Sequence, residues 1–253
     1  MVDSADSRPK AVSDTSSVVL GLDIGTTTIT CLAWRAVDGE IVVVETVGNH
    51  AETTSSEDRQ RGYSEWDSEA MIVAACRCVR RVVSRLGPSA ERVIGLGLTG
   101  QQHGVVIVDD GLAPLTPFVG WRDQRGNEAR DSGGQSYVDA MMERLGAGSY
   151  DRLGCRPATG YLAATLFWMQ RTGQLPADGT ACFIVDLCAA MLTGDRLRTD
   201  PTNAGASGLL NLAGREWDPQ ALEQLEIERR WLPEICEAPT VGGRIHERAA
   251  AQT

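Results

Sequence analysis

Val18-Val19-Leu20-Gly21-Leu22-Asp23-Ile24-Gly25-Thr26-Thr27-Thr28-Ile29-Thr30-Cys31-Leu32-Ala33-Trp34-Arg35 is the stretch that decides the fold. Its first eight residues read as a buried strand that ends in a turn. From Thr27 to Arg35 the residues alternate, with Ile29, Cys31 and Ala33 on one face. Val37-Asp38-Gly39-Glu40 is a hairpin turn signal, and Ile41 to Val47 is a third β-rich run. Strands joined by connections this short must be antiparallel neighbours, because a parallel crossover needs about a dozen residues or more.

A helix follows. Asp67 can cap it, Glu69 suits its first turn, and Gly87-Pro88 stops it. Met71, Ala75, Cys78, Val79, Val82 and Leu86 form its apolar stripe. Arg77, Arg80, Arg81 and Arg85 read as its solvated face. Val93 to Thr99 reads as another buried strand and Gly104 to Val108 as a further one. Tyr161 to Arg171, Ala181 to Leu192 and Asp218 to Leu225 read as helices. Asn203 to Leu212 is small and Gly-rich, which suits close packing. This order predicts an α/β fold with a mixed sheet rather than a strictly alternating one.

Composition narrows the class. Of 253 residues, 34 are acidic and 24 basic, for a formal net charge of −10. A chain this acidic lacks the basic stripe that nucleic acid requires. No apolar run approaches the ~20 residues that span a bilayer. Hydrophobic residues at 42% and charged residues at 23% are ordinary globular values. Met1 to Ser17 is polar, has no apolar stretch of the secretory kind, and reads as a disordered leader on a cytoplasmic protein. The seven cysteines have no Cys-x-x-Cys spacing, so they read as reduced thiols rather than a zinc site or disulfide framework.

Three constellations carry chemistry. Asp23-Ile24-Gly25-Thr26-Thr27-Thr28 lies between two strands. Gly25 permits a tight turn, and the N–H groups and hydroxyls that follow can cradle phosphate oxygens. Asp23 would meet phosphate through a bound Mg²⁺ and its waters. The turn lacks the Gly-Lys-Ser/Thr ending of a Walker loop, and a plain hairpin of β-branched threonines is its competing reading. Thr99-Gly100-Gln101-Gln102-His103-Gly104 follows a buried strand; Gln102 and His103 there could read polyol hydroxyls, although a lone His is more often structural. Trp121-Arg122-Asp123-Gln124-Arg125 offers a flat apolar wall at Trp121 for the C–H face of a sugar. Asp123 and Arg125 offer directional hydrogen bonds, the alternative being a surface ion pair beside a core Trp.

Asp23-x-Gly-Thr-Thr, Gly100-Gln-Gln-His-Gly, Trp121-x-Asp-x-Arg, Leu192-Thr-Gly and Thr199-Asp-x-x-Asn-Ala…Trp217-Asp together resemble the FGGY carbohydrate kinases in order and spacing, from about Val18 onward. Thr159-Gly-Tyr…Thr-Leu-Phe-Trp168 and Thr199-Asp-Pro-Thr-Asn203 look most like sedoheptulokinases, and xylulokinases come next. The resemblance implies a ribonuclease H-like, actin-like ATPase domain over 18–253: a three-stranded antiparallel meander extended by parallel strands and flanked by helices. It implies ATP and Mg²⁺ as cofactors and phosphorylation of a sugar hydroxyl. Asp23 would match the Mg²⁺ residue, Gly25, Thr26, Thr27 and Thr28 the phosphate turn, and Gln102, His103, Trp121, Asp123 and Arg125 the sugar side.

Two departures from the family pattern stand out. Relatives often carry Lys or Arg where this chain has Thr30. They also continue into a Gly-Gly-Gly-Asp-like segment with the catalytic base and then an adenine-binding domain. This chain ends at Arg248-Ala-Ala-Ala-Gln-Thr253, which looks like the helix before that Asp. The expectation is therefore the N-terminal half of a ketose kinase, inactive alone, whose C-terminal ATP-binding domain or a partner chain supplies the rest. A non-catalytic sugar-binding module and another actin-like ATPase are the competing readings, and Gln102-His103 with Trp121-x-Asp123 disfavours the latter. Assembly as a homodimer is left open.

Overall fold

The computed structural model describes residues 16–130, 132–238, 240–246 and 249. The leader proposed for Met1 to Ser17 lies almost wholly outside the described residues, as does most of the expected terminal helix. The first three strands are β1 (Val18–Ile24), β2 (Thr28–Arg35) and β3 (Ile41–Gly48). They form the expected antiparallel meander, with Leu22 opposite Cys31 and Cys31 opposite Glu45. Val18, Leu20, Leu22 and Ile24 alternate into the core, as do Ile29, Cys31 and Ala33, which is the period-2 pattern read from the sequence.

A short helix α1 (Ser56–Gln60) and strand β4 (Glu65–Trp66) precede the long helix α2 (Ser68–Leu86). Asp67 caps α2 by accepting from the Ala70 N–H at 2.9 Å. Met71, Ala75, Cys78, Val79 and Val82 are all buried on the sheet. Burial of Met71, Val79 and Val82 is worth about 1.5–3 kcal/mol each. The Arg row is not wholly solvated, because Arg85 reaches Glu45 of β3 at 2.5 Å.

Strand β5 (Val93–Gly100) joins the sheet parallel to β1, giving the order β3-β2-β1-β5. The sequence reading has this strand buried, yet Ile94 is 70% exposed. β5 is the edge of the sheet among the described residues, so one side of its ladder meets no neighbour. The expected parallel extension is accordingly this single strand.

Strand β6 (Val106–Val108) does not extend that sheet. It pairs antiparallel with β8 (Thr180–Cys182), while β7 (Phe118–Val119) pairs with β4. Helix α6 therefore spans only Ile184–Thr193, because its expected first residues are in β8. Helices α3 (Tyr137–Leu145), α4 (Ser149–Leu153) and α5 (Leu162–Thr172) lie between β7 and β8. The capping box at Ser136 and Asp139 marks the start of α3. Strand β9 (Arg198–Thr199), helix α7 (Pro201–Gly205), the β10–β11 hairpin (Leu210–Asn211, Glu216–Trp217), helix α8 (Pro219–Leu225) and strand β12 (Glu234–Ile235) complete the order.

Two cores result. One joins the four-stranded sheet, α2 and α6; the other surrounds α3, α5 and α8. Strand alternation divides them: Val106 and Val108 enter the first core, Val105 and Ile107 the second. No helix among the described residues is long and apolar enough to cross a membrane.

Candidate functional site

The β1–β2 turn is tight for a specific reason. Gly25 donates its N–H to Thr28 O at 3.0 Å, and a Cβ at Gly25 would lie 2.6 Å from that same oxygen. Asn49, just past β3, locks the turn from behind. Its Nδ2 donates to Gly25 O at 2.9 Å and its backbone N–H to Thr27 O at 2.9 Å. Asp23, Thr27 and Thr28 remain exposed. Asp23 sits across the ladder from Thr30 on one side and Thr99 on the other. The Thr30 hydroxyl shares a hydrogen with Thr46 Oγ1 at 2.9 Å, so a neutral pair occupies this flank.

The turn meets both other constellations. Trp121 Nε1 donates to Thr26 Oγ1 at 3.0 Å, and Thr26 Oγ1 donates to Gln101 Oε1 at 2.7 Å. Trp121 keeps 43% of its surface exposed, as a wall at the edge of this face. Gln102 is exposed. His103 takes φ 62°, and its ring stacks on Tyr161 at 4.0 Å between centroids. Its Nδ1 lies 2.8 Å from Ala206 O. A carbonyl can only accept, so Nδ1 carries the hydrogen and Nε2 of the neutral ring is an acceptor. Gly160 makes the approach possible: with φ 79°, a Cβ there would stand 2.1 Å from Trp121 O.

Asp123 and Arg125, which the sequence reading places among the sugar contacts with an ion pair as the alternative, are bonded to each other in the interior. Asp123 is 0% exposed and Arg125 4%. Asp123 Oδ1 accepts from the Arg125 backbone N–H and Nε, at 2.9 and 2.8 Å. Oδ2 accepts from Ser64 N–H at 2.8 Å and Arg125 Nη2 at 3.0 Å. Those four bonds use the carboxylate's lone-pair directions. Arg125 also reaches Glu65 at 2.6 Å and lies over the rings of Tyr63 and Trp168. Burial pulls the guanidinium down, but its hydrogen bonds to Asp123 and Glu65 prevail and hold it above its ordinary value. The pair is a buried brace behind the Trp121 wall, with Thr159 Oγ1 tied to Asp123 O at 2.9 Å. Pattern reading could not see this, because exposed and buried ion pairs share one sequence signature.

Sequence reading also passed over Gln101, Asn49 and Tyr161. Gln101 lies inside the Thr99–Gly104 motif, next to Gln102. Asn49 and Tyr161 carry no local signal, since their partners in the site are 22 residues away or more.

Chemically, this face offers exposed hydroxyls, a carboxylate, an apolar indole wall and an imidazole acceptor side by side. Among the described residues, no three His, Cys, Asp or Glu side chains cluster as metal ligands. A divalent cation at Asp23 would therefore complete its shell from water and phosphate oxygens, a donor set that suits Mg²⁺. The small crevice lined by Leu166, Gln170, Leu175, Ile227 and Trp231 is separate and includes none of these residues.

Comparison with known proteins bears on this face. The description "FGGY family of carbohydrate kinases, N-terminal domain" matches residues 18–253. A xylulose kinase of Lactococcus lactis is 24% identical over 226 residues, covering 87% of this chain and 41% of that protein. An autoinducer-2 kinase of Photorhabdus laumondii is 27% identical over 195 residues, covering 76% of this chain and 35% of its own length. The crystal structure of a xylulose kinase from Rhodospirillum rubrum superposes with TM-score 0.80 at 26% identity, over 93% of this chain and 47% of that one. The chain thus spans under half the length of the relatives it matches.

Proposed function

Because the chain belongs to the FGGY family of carbohydrate kinases, we propose that it forms the N-terminal half of an ATP-dependent kinase acting on a ketose hydroxyl. Xylulose stands first as substrate, since two of the similar proteins named above are xylulose kinases. Sedoheptulose, suggested by the Thr159-Gly160-Tyr161 and Thr199–Asn203 segments, comes second. The adenine site and the catalytic base belong to the remaining half. Seven free cysteines fit a reducing cytoplasm, where ATP is available.

The observation that carries this reading is the chain of bonds from Trp121 through Thr26 to Gln101. It joins the element suited to phosphate and the elements suited to a polyol into one face. Phosphoryl transfer rests mainly on positioning and electrostatics. Asp23 would hold Mg²⁺, which neutralises developing charge on the phosphoryl group. The turn at Gly25–Thr28 would orient that group with N–H donors and hydroxyls. Trp121 would shield one side of the sugar from water, and His103 Nε2 would accept from one of its hydroxyls.

A coupled ADP-release assay with xylulose and sedoheptulose tests the reading. The protein extended by its C-terminal half turns over with one of them, and the isolated chain shows no sugar-dependent release. In the extended protein, His103→Ala weakens sugar binding roughly tenfold or more, the cost of one unpaired hydrogen bond. Sugar binding without turnover would point to a non-catalytic sugar-binding module. Binding of neither sugar would overturn the proposal.

A further inference from the structure

Gln101 presents a donor with no acceptor among the described residues. An indole N–H can only donate, so Trp121 takes a lone pair of Thr26 Oγ1, and the Thr26 hydrogen goes to Gln101. That hydroxyl donates to the amide oxygen, Oε1, at 2.7 Å, so the Gln101 side chain is oriented with its oxygen towards Thr26. The amide nitrogen is turned away from Thr26, buried, and bonded to no protein acceptor among the described residues. The backbone gives it little room to escape, because the Gln101 N–H is itself anchored to Ile24 O at 3.0 Å. A buried donor left unpaired costs about 1–3 kcal/mol, and native structures rarely leave one without a reason.

We propose that Gln101 is a specificity-determining residue that ties the phosphate turn to the sugar: its Oε1 holds Thr26, and its Nε2 donates to a hydroxyl oxygen of the bound ketose. The inference rests on the kinase reading above. A hydroxyl is favoured over a phosphate oxygen on two grounds. The Thr26 and Thr27 N–H groups of the turn have no protein acceptor among the described residues and are the groups suited to the anion. Gln101 also leads directly into Gln102 and His103, and it follows β5, at the opposite edge of the sheet from the β3 that leads into Asn49. Filling this donor only when a correctly placed hydroxyl arrives rejects an analogue that lacks it, because the analogue leaves the amide buried and unpaired.

The test uses Gln101→Glu and Gln101→Met in the full-length protein. Glu keeps an acceptor for the Thr26 hydroxyl but cannot donate, whereas Met does neither. Calorimetry with xylulose and with a series of singly deoxygenated xyluloses gives the readout. In the wild-type protein, removal of one particular hydroxyl costs tenfold or more in affinity. Both variants bind xylulose roughly tenfold more weakly, and both lose most of the discrimination against that one deoxy sugar. A merely structural brace would not erase discrimination at a single hydroxyl. Wild-type sugar affinity and discrimination in Gln101→Glu would overturn the inference alone. So would a loss of nucleotide affinity with sugar binding intact, which would assign the donor to phosphate. If the wild-type protein binds no ketose, the inference falls together with the kinase reading. Should Gln101→Met fail to fold, Gln101→Glu with the deoxy series carries the same decision.

Discussion

The Trp121 indole N–H reaches across 95 residues of chain to the Thr26 hydroxyl at 3.0 Å. This bond fastens a loop from one part of the fold to the β1–β2 turn. The orientation of that turn therefore depends on a residue that also forms the apolar wall beside it.

Separating the two roles of Trp121 is the first prediction. Trp121→Phe keeps a flat ring but removes the donor, and a net hydrogen bond is worth about 0.5–1.5 kcal/mol. In the full-length protein kcat should fall several-fold while sugar affinity holds. Trp121→Ala removes the wall as well, so sugar affinity should drop about tenfold or more. Equal effects of the two variants on sugar affinity would show that the ring face contacts nothing.

The Asp23 side chain stands exposed near the end of β1, with no hydrogen-bond or ion-pair partner among the described residues. Asp23→Asn is nearly isosteric and leaves the turn bonds untouched. Its expected effect is a loss of roughly hundredfold or more in kcat, with little change in calorimetric sugar affinity, the pattern of an interaction made in the transition state. Wild-type kcat would reduce Asp23 to a strand-end carboxylate.

Asp123 carries a stability prediction. Asp123→Ala takes two bonds from the buried Arg125 guanidinium, which keeps Glu65, and frees the Ser64 N–H. Breaking one side of a buried ion pair costs about 3–5 kcal/mol. Thermal unfolding should shift down on the order of ten degrees. Sugar affinity, measured well below the new Tm, should change less than in Trp121→Ala. A stable Asp123→Ala protein with abolished sugar binding would restore Asp123 to the sugar contacts.

Asp186 of α6 gives a pH prediction. Burial drives its carboxyl up to about 8, against a weak pull from the Phe183 N–H at 3.4 Å. The folded protein then holds a proton that the unfolded chain releases near the ordinary Asp value of about 3.9. Its contribution is complete below that value and is lost as pH rises towards about 8. Asp186→Asn should therefore flatten the fall in Tm across this window and melt above the wild-type protein at pH 8. An unchanged slope would place the ionised form in the folded state.

The legible parts of the molecule were those with local causes. Alternation in Val18–Arg35 forces an antiparallel meander because side chains two apart share a face, and the Asp67 cap with its 3.6-period stripe forces α2 onto that sheet. The motif turns at Gly25, Gln102-His103 and Trp121 were legible for the same reason: each is a short run of residues with a distinctive donor set. Burial and partnership were not, because they depend on what arrives from distant chain. Only the tertiary structure shows that Asp123 is bonded to Arg125 and Ser64, that β5 is an edge among the described residues, and that Gln101 is bonded to Thr26 of the β1–β2 turn. A carboxylate or amide has the same sequence signature whether its lone pairs are filled or free. That difference is set by the geometry of other strands and loops, and it separates a brace from a binding group.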